Sequence, residues 1–302
     1  MVAAITQEVR ILLFGGSGQL GKSIIYELEQ RNVMFFAPKS DEMSLPLSKT
    51  DIVGLIRFNP TTIINCAAWT NVDLAETEPA QALLVNVLGT QSICDVAMGS
   101  GATIMHISTD YVFSCDSTLP WLESDKKFPV TVYGRSKSYA EDIVLNQLDN
   151  KSWIVRTAWL YSPYGRNFPM TILKKLLFSE EKINVVDDQI GQPTSAKQLA
   201  SLLVDMVINN FPKGIYHGTN RGETSWFGFA TALASLAGKE TSRVIPVSTS
   251  THKSLAARPK YSVLSHTGWK DSTIFTLASW EDALQEMFPK LIDALNEPGE
   301  NR

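Results

Sequence analysis

The stretch RILLFGGSGQLG, from Arg10 to Gly21, constrains this chain more than any other. Four apolar residues, Ile11, Leu12, Leu13 and Phe14, follow a charged one, as in a strand buried on both faces of a parallel sheet. Glycines then fall at Gly15, Gly16, Gly18 and Gly21. Lacking side chains, they permit a tight turn and a close backbone approach to a pyrophosphate, and a helix starting near Gln19 would aim its free N–H groups at that anion. The turn reads as a mononucleotide cradle. The alternative is an ordinary strand-to-helix connection, and the position at the first strand favours the cradle.

A helix through Ile24, Ile25 and Leu28 and a second apolar run, Val33 to Ala37, complete a βαβ unit. Dinucleotide-binding folds often place an acid at the end of this second strand to hold the adenosine ribose. Here the order is Ala37, Pro38, Lys39, Ser40, Asp41. A basic Lys39 ahead of the first acid suits a 2′-phosphate and favours NADPH, while Asp41 keeps NADH open. A short amphipathic helix (Ile52, Leu55, Ile56) leads to a third strand, Thr62 to Asn65, which runs into Cys66, Ala67, Ala68, Trp69 and Thr70. The small residues there either admit a ligand to the sheet's crevice or simply pack tightly.

A helical segment from Pro79 to Met98 precedes a fourth strand, Thr103 to Ser108, which delivers Ser108, Thr109 and Asp110 to the same carboxyl edge. After a loop holding Pro120 and Pro129, Tyr133 and Lys137 open another helix, their i to i+4 spacing placing both on one face. A fifth strand, Trp153 to Arg156, follows. Five strand-helix alternations predict an α/β fold with a doubly wound parallel sheet. Beyond Thr157 the pattern loosens into helices near Phe168 to Phe178, Ser195 to Val207, Ser225 to Ala237 and Glu281 to Leu295, with extended pieces such as Ile183 to Val186. We therefore expect a dinucleotide-binding domain over 1–165 and a smaller α+β substrate lobe over 166–302, with one return of the chain to the sheet and a loose tail from Glu297 to Arg302.

Composition narrows the partners. A net charge of -4 without a lysine or arginine run argues against nucleic acid. Three cysteines, Cys66, Cys94 and Cys115, form no paired spacing and read as buried thiols of a reducing compartment. The opening MVAAITQE has no basic start and apolar core, and no later stretch reads as apolar over the ~18 residues of a membrane span, so no membrane partner and a cytoplasmic location are expected. His106, His217, His252 and His266 show no ligand spacing and read as surface or packing residues, with no metal centre.

A free tyrosine gives up its proton reluctantly, with a pKa of about 10. A lysine ammonium one helical turn away favours the phenolate, so Lys137 is expected to lower the Tyr133 pKa, and it could also bond a cofactor ribose. Thr109 could donate a hydrogen bond to a substrate carbonyl and stabilise a developing alkoxide. Together the three make a carbonyl reductase. The pair Tyr-x-x-x-Lys is weak by itself; its order after the glycine turn and the two strand ends strengthens it.

The stretches GGSGQLG from Gly15, NCAAWTNVDLAETEP from Asn65, STDYVF from Ser108, YGRSK from Tyr133, RTAWLY from Arg156, DDQIGQPT from Asp187 and ARPKYS from Ala257 resemble the extended short-chain dehydrogenase/reductases and, within them, the dTDP-4-dehydrorhamnose reductase family. They span nearly the whole chain. The resemblance implies a Rossmann-like fold and NAD(P)H-dependent reduction of the 4-keto group of dTDP-4-dehydro-6-deoxy-L-mannose to dTDP-L-rhamnose, by a monomer or a homodimer. It makes Tyr133 the proton donor and Lys137 its tuner and ribose ligand, with Thr109 orienting the keto oxygen. It puts Gly15, Gly18, Gln19, Leu20 and Gly21 on the pyrophosphate side, and Ala68, Trp69 and Thr70 along the cofactor channel. Asp110 and Trp159 would touch the sugar.

Where the family commonly has Leu-Asp near the adenine, this chain reads Met43, Ser44, Leu45, which makes Ser44 and Leu45 the local cofactor contacts; Ala140 replaces a usual glycine before Glu141. Some family members hold Mg2+ at a dimer contact, for which no matching carboxylates can be placed. Asn167, Gln192, Trp226 and Arg258 are candidates for gripping the thymidine diphosphate. Arg258 has the clearest physical case, since a guanidinium bonds phosphate oxygens in a fixed fork, against the alternative of a solvated loop arginine. Trp159 and Trp226 suit core packing equally well.

Three other readings share the fold. A nucleotide-sugar dehydratase typically reads Thr-Asp-Glu at the fourth strand end, where this chain has Tyr111, which counts against elimination. A 4-ketoreductase for another deoxysugar nucleotide differs only in pocket shape. A non-catalytic subunit like the β subunit of methionine adenosyltransferase departs around the third strand, where this chain keeps WTNVDLAETEP.

Overall fold

β1 (Arg10–Phe14) is buried inside the main sheet, with Ile11 to Leu13 fully buried and Phe14 only 3% exposed. The computed structural model describes residues 9–251, 254–269, 272–274 and 277–296. The opening MVAAITQE, the tail from Glu297 and His252 lie outside the described residues. From β1 the chain runs through α1 (Gln19–Gln30), β2 (Met34–Phe36), α2 (Lys49–Phe58), β3 (Thr62–Asn65), α3 (Val72–Thr77), α4 (Pro79–Leu83), a π-helical turn (Leu84–Leu88), α5 (Gly89–Ser100), β4 (Thr103–Thr109), α6 (Val132–Leu148) and β5 (Ser152–Thr157).

Alternate residues of the strands feed two cores, as the period of two in a strand requires. Ile11, Leu13, Ile64, Met105 and Trp153 join α1 on one face, whereas Leu12, Phe14, Ile63, Ile104 and Ile154 join α2, α5 and α6 on the other. The capping box of Ser48 and Asp51 fixes the start of α2. By contrast, no side chain caps α1, whose N-cap is Gly18.

The second half of the chain continues through β6 (Leu160–Tyr161), α7 (Phe168–Phe178), β7 (Ile183–Val186), β8 (Ile190–Gly191), β9 (Thr194–Ser195), α8 (Ala196–Ile208), β10 (Gly214–His217), β11 (Thr224–Ser225), α9 (Trp226–Leu236), β12 (Val244–Val247) and α10 (Trp280–Asn296). The main sheet has the order β10-β5-β4-β3-β1-β2, and every pairing in it is parallel. This is the doubly wound, Rossmann-like architecture. β10 returns to the sheet beside β5, and α8 packs on α1 in the first core. The apolar faces of α7, α9 and α10 gather with β7 and β12 in a separate core, which makes the second lobe. The sheet layer therefore also takes α8 and β10 from beyond residue 165, because the apolar face of α1 and the open edge of β5 both need cover.

Three details differ from the sequence expectation. The helix α3, capped by Asn71, occupies the WTNVDLAETEP stretch. The Pro79 helix is not uniform, because Leu84–Leu88 widens into a π-turn that carries the buried Asn86. That stretch, Pro79–Ser100, is also long and apolar enough by composition to cross a membrane, contrary to the expectation; half of it is buried, and α5 packs between α2 and α6 against the sheet.

Candidate active site

The order of strands reverses between β1 and β3, and their carboxyl ends open a crevice there. Gly15 leaves β1 at φ +81°, and a Cβ on it would lie 2.6 Å from the Ala67 nitrogen and 2.7 Å from the Cys66 carbonyl carbon. The turn thus rests directly on the chain leaving β3. Gly15, Gly18, Gln19, Leu20 and Gly21 line one end of a cleft of about 750 Å³, and Ala68 and Thr70 line its wall. The Gln19 side chain turns across to the second lobe, its Oε1 accepting from Ser162 Oγ at 3.1 Å and Asn167 Nδ2 at 2.9 Å.

β4 carries Thr109 and Asp110 to the middle of the cleft. Thr109 Oγ1 donates to Asp110 Oδ1 at 2.9 Å, and Thr109 lies in register with Thr157 of β5. Thr131 caps α6, its Oγ1 accepting from Gly134 N–H at 2.9 Å. A Cβ on Gly134 would meet the Tyr111 carbonyl oxygen at 2.2 Å, so the first turn of α6 sits on the end of β4. This contact brings Tyr133 beside Thr109 and against the edge of Tyr111, with ring centroids 5.6 Å apart. One turn on, Lys137 Nζ donates to the Ile107 carbonyl at 2.7 Å and meets His106 Nε2 at 3.0 Å. Behind them the buried Asn86 amide joins the Trp69 backbone to Ser136 Oγ of α6.

Burial dominates the electrostatics. It pushes the Tyr133 phenol up to about 12, with the Thr109 hydroxyl offsetting part of the rise. It pulls the Lys137 ammonium down to about 8 against the charge of Glu141, and it lifts the Asp110 carboxyl to about 6 although Thr109 bonds to it. The expected lowering of Tyr133 by Lys137 is therefore reversed. Nζ is committed to Ile107 and His106, and the phenol keeps its proton, as a proton donor requires.

On the second lobe, Trp159 and Trp226 stack with centroids 3.5 Å apart and planes 7° from parallel. Both line the cleft, together with Asn167 and Arg258. Asn167 also caps α7, accepting from Met170 N–H at 3.1 Å. Arg258 Nη2 donates to Asp73 Oδ2 at 2.6 Å, while its Nη1 is buried without a hydrogen-bond partner.

Five expected contacts lie outside the cleft lining. Gln192 is 2% exposed, and its Oε1 is taken by Thr219 Oγ1 and the Leu264 N–H. Trp69, clamped by Asn86, turns away from its neighbours Ala68 and Thr70 and packs with Ala75, Ala82 and Tyr133. Lys39 and Ser44 are exposed beyond β2, and Leu45 packs against Gly89. Conversely, Thr157, Tyr164, Arg166, Gln189 and Ser262 line the cleft unforeseen. For Thr157 the signal was available, since it ends a parallel strand just as Thr109 does. The cysteines are free; Cys94 is buried, but Cys66 and Cys115 are partly exposed and Cys66 lines the cleft. Among the described residues no three His, Cys, Asp or Glu side chains group as metal ligands would.

A turn that a Cβ would fill and an uncapped helix N-terminus beside it fit a dinucleotide diphosphate. The comparisons with known proteins agree with this geometry. Residues 9–292 match the family model described as the RmlD substrate binding domain. The chain is 37% identical over 286 residues to a dTDP-4-keto-6-deoxy-D-glucose reductase of Streptomyces niveus, covering 93% of this chain and 97% of that one. It is 37% identical over 293 residues to a dTDP-4-dehydrorhamnose reductase of Streptomyces griseus, covering 96% of each. A crystal structure of dTDP-4-dehydrorhamnose reductase from Bacillus anthracis in complex with NADP superposes with a TM-score of 0.86 at 35% identity, covering 94% of this chain and all of that one.

Proposed function

The chain belongs to the RmlD substrate binding domain family, and from that premise we infer that it is an NAD(P)H-dependent oxidoreductase reducing the 4-keto group of dTDP-4-dehydro-6-deoxy-L-mannose to dTDP-L-rhamnose. The observation that carries this reading is the convergence of Tyr133, Lys137 and Thr109 with the Gly15 turn in one cleft.

The reduced nicotinamide, when bound, supplies the hydride. Gly15, Gly18, Leu20 and Gly21, with the backbone of Gln19, would hold the diphosphate, and Ala68 and Thr70 the length of the cofactor. Lys39, exposed beyond β2, would meet a 2′-phosphate from outside the cleft lining, and the NADP complex of the relative supports NADPH. Ser44 and Leu45 would lie toward the adenine. Thr109 points the substrate ketone and steadies negative charge on its oxygen. Tyr133 then gives its proton to that oxygen, forming the C4 hydroxyl. Its raised pKa keeps the phenol protonated until a stronger base, the alkoxide, appears. Asp110 offers a carboxylate oxygen to a sugar hydroxyl, and the stacked Trp159 and Trp226 line the same cleft. The free Nη1 of Arg258 suits a phosphate oxygen of the nucleotide sugar. Three free cysteines suit a reducing cytoplasm.

The test is a panel of nucleotide 4-keto sugars assayed for oxidation of NADPH and of NADH. We expect turnover with dTDP-4-dehydrorhamnose and NADPH. A second reading, reduction of another dTDP-4-keto-6-deoxy sugar, is favoured by the relative from Streptomyces niveus and predicts a different member of the same panel. No oxidation with any keto sugar, together with co-purification of a partner enzyme, would establish a regulatory subunit instead.

A further inference from the structure

His106 read as a surface or packing residue in the sequence; it is fully buried in β4 with its ring between two polar groups. Its Nε2 lies 3.0 Å from Lys137 Nζ and its Nδ1 lies 3.2 Å from Asn65 Nδ2. Asn65 and Lys137 are themselves 1% and 2% exposed. The orientation of the Asn65 amide is fixed twice over. Its Oδ1 accepts from the Ala67 N–H at 3.1 Å, and its Nδ2 donates to Thr90 Oγ1 at 3.4 Å. The Thr90 proton is already given to the Asn86 carbonyl at 2.7 Å, so that hydroxyl can only accept.

Counting donors along this chain determines its far end. A neutral imidazole has one N–H and one acceptor nitrogen. Asn65 donates into Nδ1, which makes Nε2 the nitrogen that bears hydrogen. Nε2–H then points at Lys137 Nζ, which can accept only as a neutral amine, because an ammonium has no lone pair. Turning over the amide or exchanging the tautomer moves the mismatch to Ala67 and Thr90, or to the Asn65–His106 junction, without removing it. We propose that Asn65 and His106 form a buried hydrogen-bond relay that ends on Lys137 and favours its neutral amine over its ammonium, which makes both of them positioning residues for that lysine.

The surroundings agree. Burial above all holds the His106 ring well below the usual histidine range and so neutral. Of the other groups near Nζ, the Cys66 thiol is pushed up to about 12 by burial and carries no charge, and the Tyr133 phenol is likewise protonated. Glu141 and the Ile107 carbonyl favour the ammonium, and Glu141 is itself held by Arg156 and Lys127. The consequence for turnover rests on the ribose role that the family resemblance gives Lys137; the charge state does not.

NMR of the cofactor-free protein separates the two. In protein carrying 15N-labelled histidine, at a pH above the Lys137 midpoint, the His106 ring should be protonated at Nε2 and bare at Nδ1. With [ε-13C]lysine, the Lys137 signal, identified by its loss in Lys137→Met, should titrate near the value of about 8 set for it by its site. Asn65→Leu removes the donor to Nδ1 without adding charge, and Asn65→Asp turns that donor into an acceptor. Both free Nε2 to accept from an ammonium, so the Lys137 midpoint should rise by about one unit, a tenfold gain in proton affinity. A wild-type His106 protonated at Nδ1 at that pH, or a midpoint unmoved in Asn65→Leu when its thermal melt shows it folded, overturns the relay. If neither variant folds, the wild-type tautomer decides.

Discussion

The Arg156 guanidinium of β5 meets both carboxylate oxygens of Glu141 on α6, Nε to Oε1 at 2.9 Å and Nη2 to Oε2 at 2.8 Å, with neither side chain more than 2% exposed. The pair locks the helix that carries Tyr133 and Lys137 to the sheet. Burial alone would raise the Glu141 carboxyl, but the bonds and charge of Arg156, with Lys127, bring it below the usual carboxylate range. Its stabilisation is therefore present above the unfolded-state pKa and is lost as pH falls through the folded value.

Removing one partner of such a pair leaves the other charge buried alone, at a cost of about 3–5 kcal/mol. Glu141→Gln should lower the urea midpoint at neutral pH accordingly. The gap to wild type should shrink in acid, where wild type loses the same interaction. An equal midpoint at pH 7 would show that the pair contributes nothing net.

Tyr133→Phe keeps the ring against Tyr111 but removes the proton. Turnover with the keto sugar should drop by about 10²–10⁴-fold, a range set by the usual worth of a positioned general acid. The dissociation constant for NADPH, read by fluorescence quenching, should change little. Turnover within threefold of wild type would assign the proton to another group.

Asp110 gives a prediction with the opposite sign of stability. Its carboxyl rises from 3.8 to about 6 because it is buried, so the folded protein binds more protons than the unfolded chain between those values. Stability falls as pH rises through that window, and above it the full cost is present, about 3 kcal/mol. Asp110→Asn should melt higher than wild type at pH 7.5 while turning over more slowly, and its advantage should vanish near pH 4. A lower melting temperature at pH 7.5 would contradict this account.

Lys39 is exposed at the outer end of β2, so replacing it costs the fold little. Lys39→Glu should weaken NADPH binding by about tenfold or more through charge reversal beside a 2′-phosphate, and leave NADH binding nearly as it was. The effect should fade with added salt. Equal losses for both cofactors would remove Lys39 from the phosphate.

Local pattern was enough to read the first sheet strands and the glycine turn and to bring Thr109, Tyr133 and Lys137 to one cleft, because each is written in a few consecutive residues and a strand end points one way. Side chains whose direction is decided by distant partners were not legible. Gln189 and Gln192 sit three residues apart with the same chemistry, yet Gln189 lines the cleft while Gln192 is taken by Thr219 and Leu264. Trp69 follows Ala68, which lines the cleft, but is turned by Asn86, whose position depends on a π-turn that no periodicity announces. The partner of His106 lies thirty-one residues on.

The edge position of β10 has a consequence for how the chain is made. As the polypeptide leaves the ribosome, β5 emerges with one side of its backbone unpaired, and its neighbour arrives only after α7, α8 and the strands between them have been synthesised. A chain stopped before Gly214 would present that open ladder to other nascent copies. Gene fragments ending between the two strands should therefore yield aggregates, and the nucleotide-binding half cannot be harvested by cutting the gene after its fifth strand.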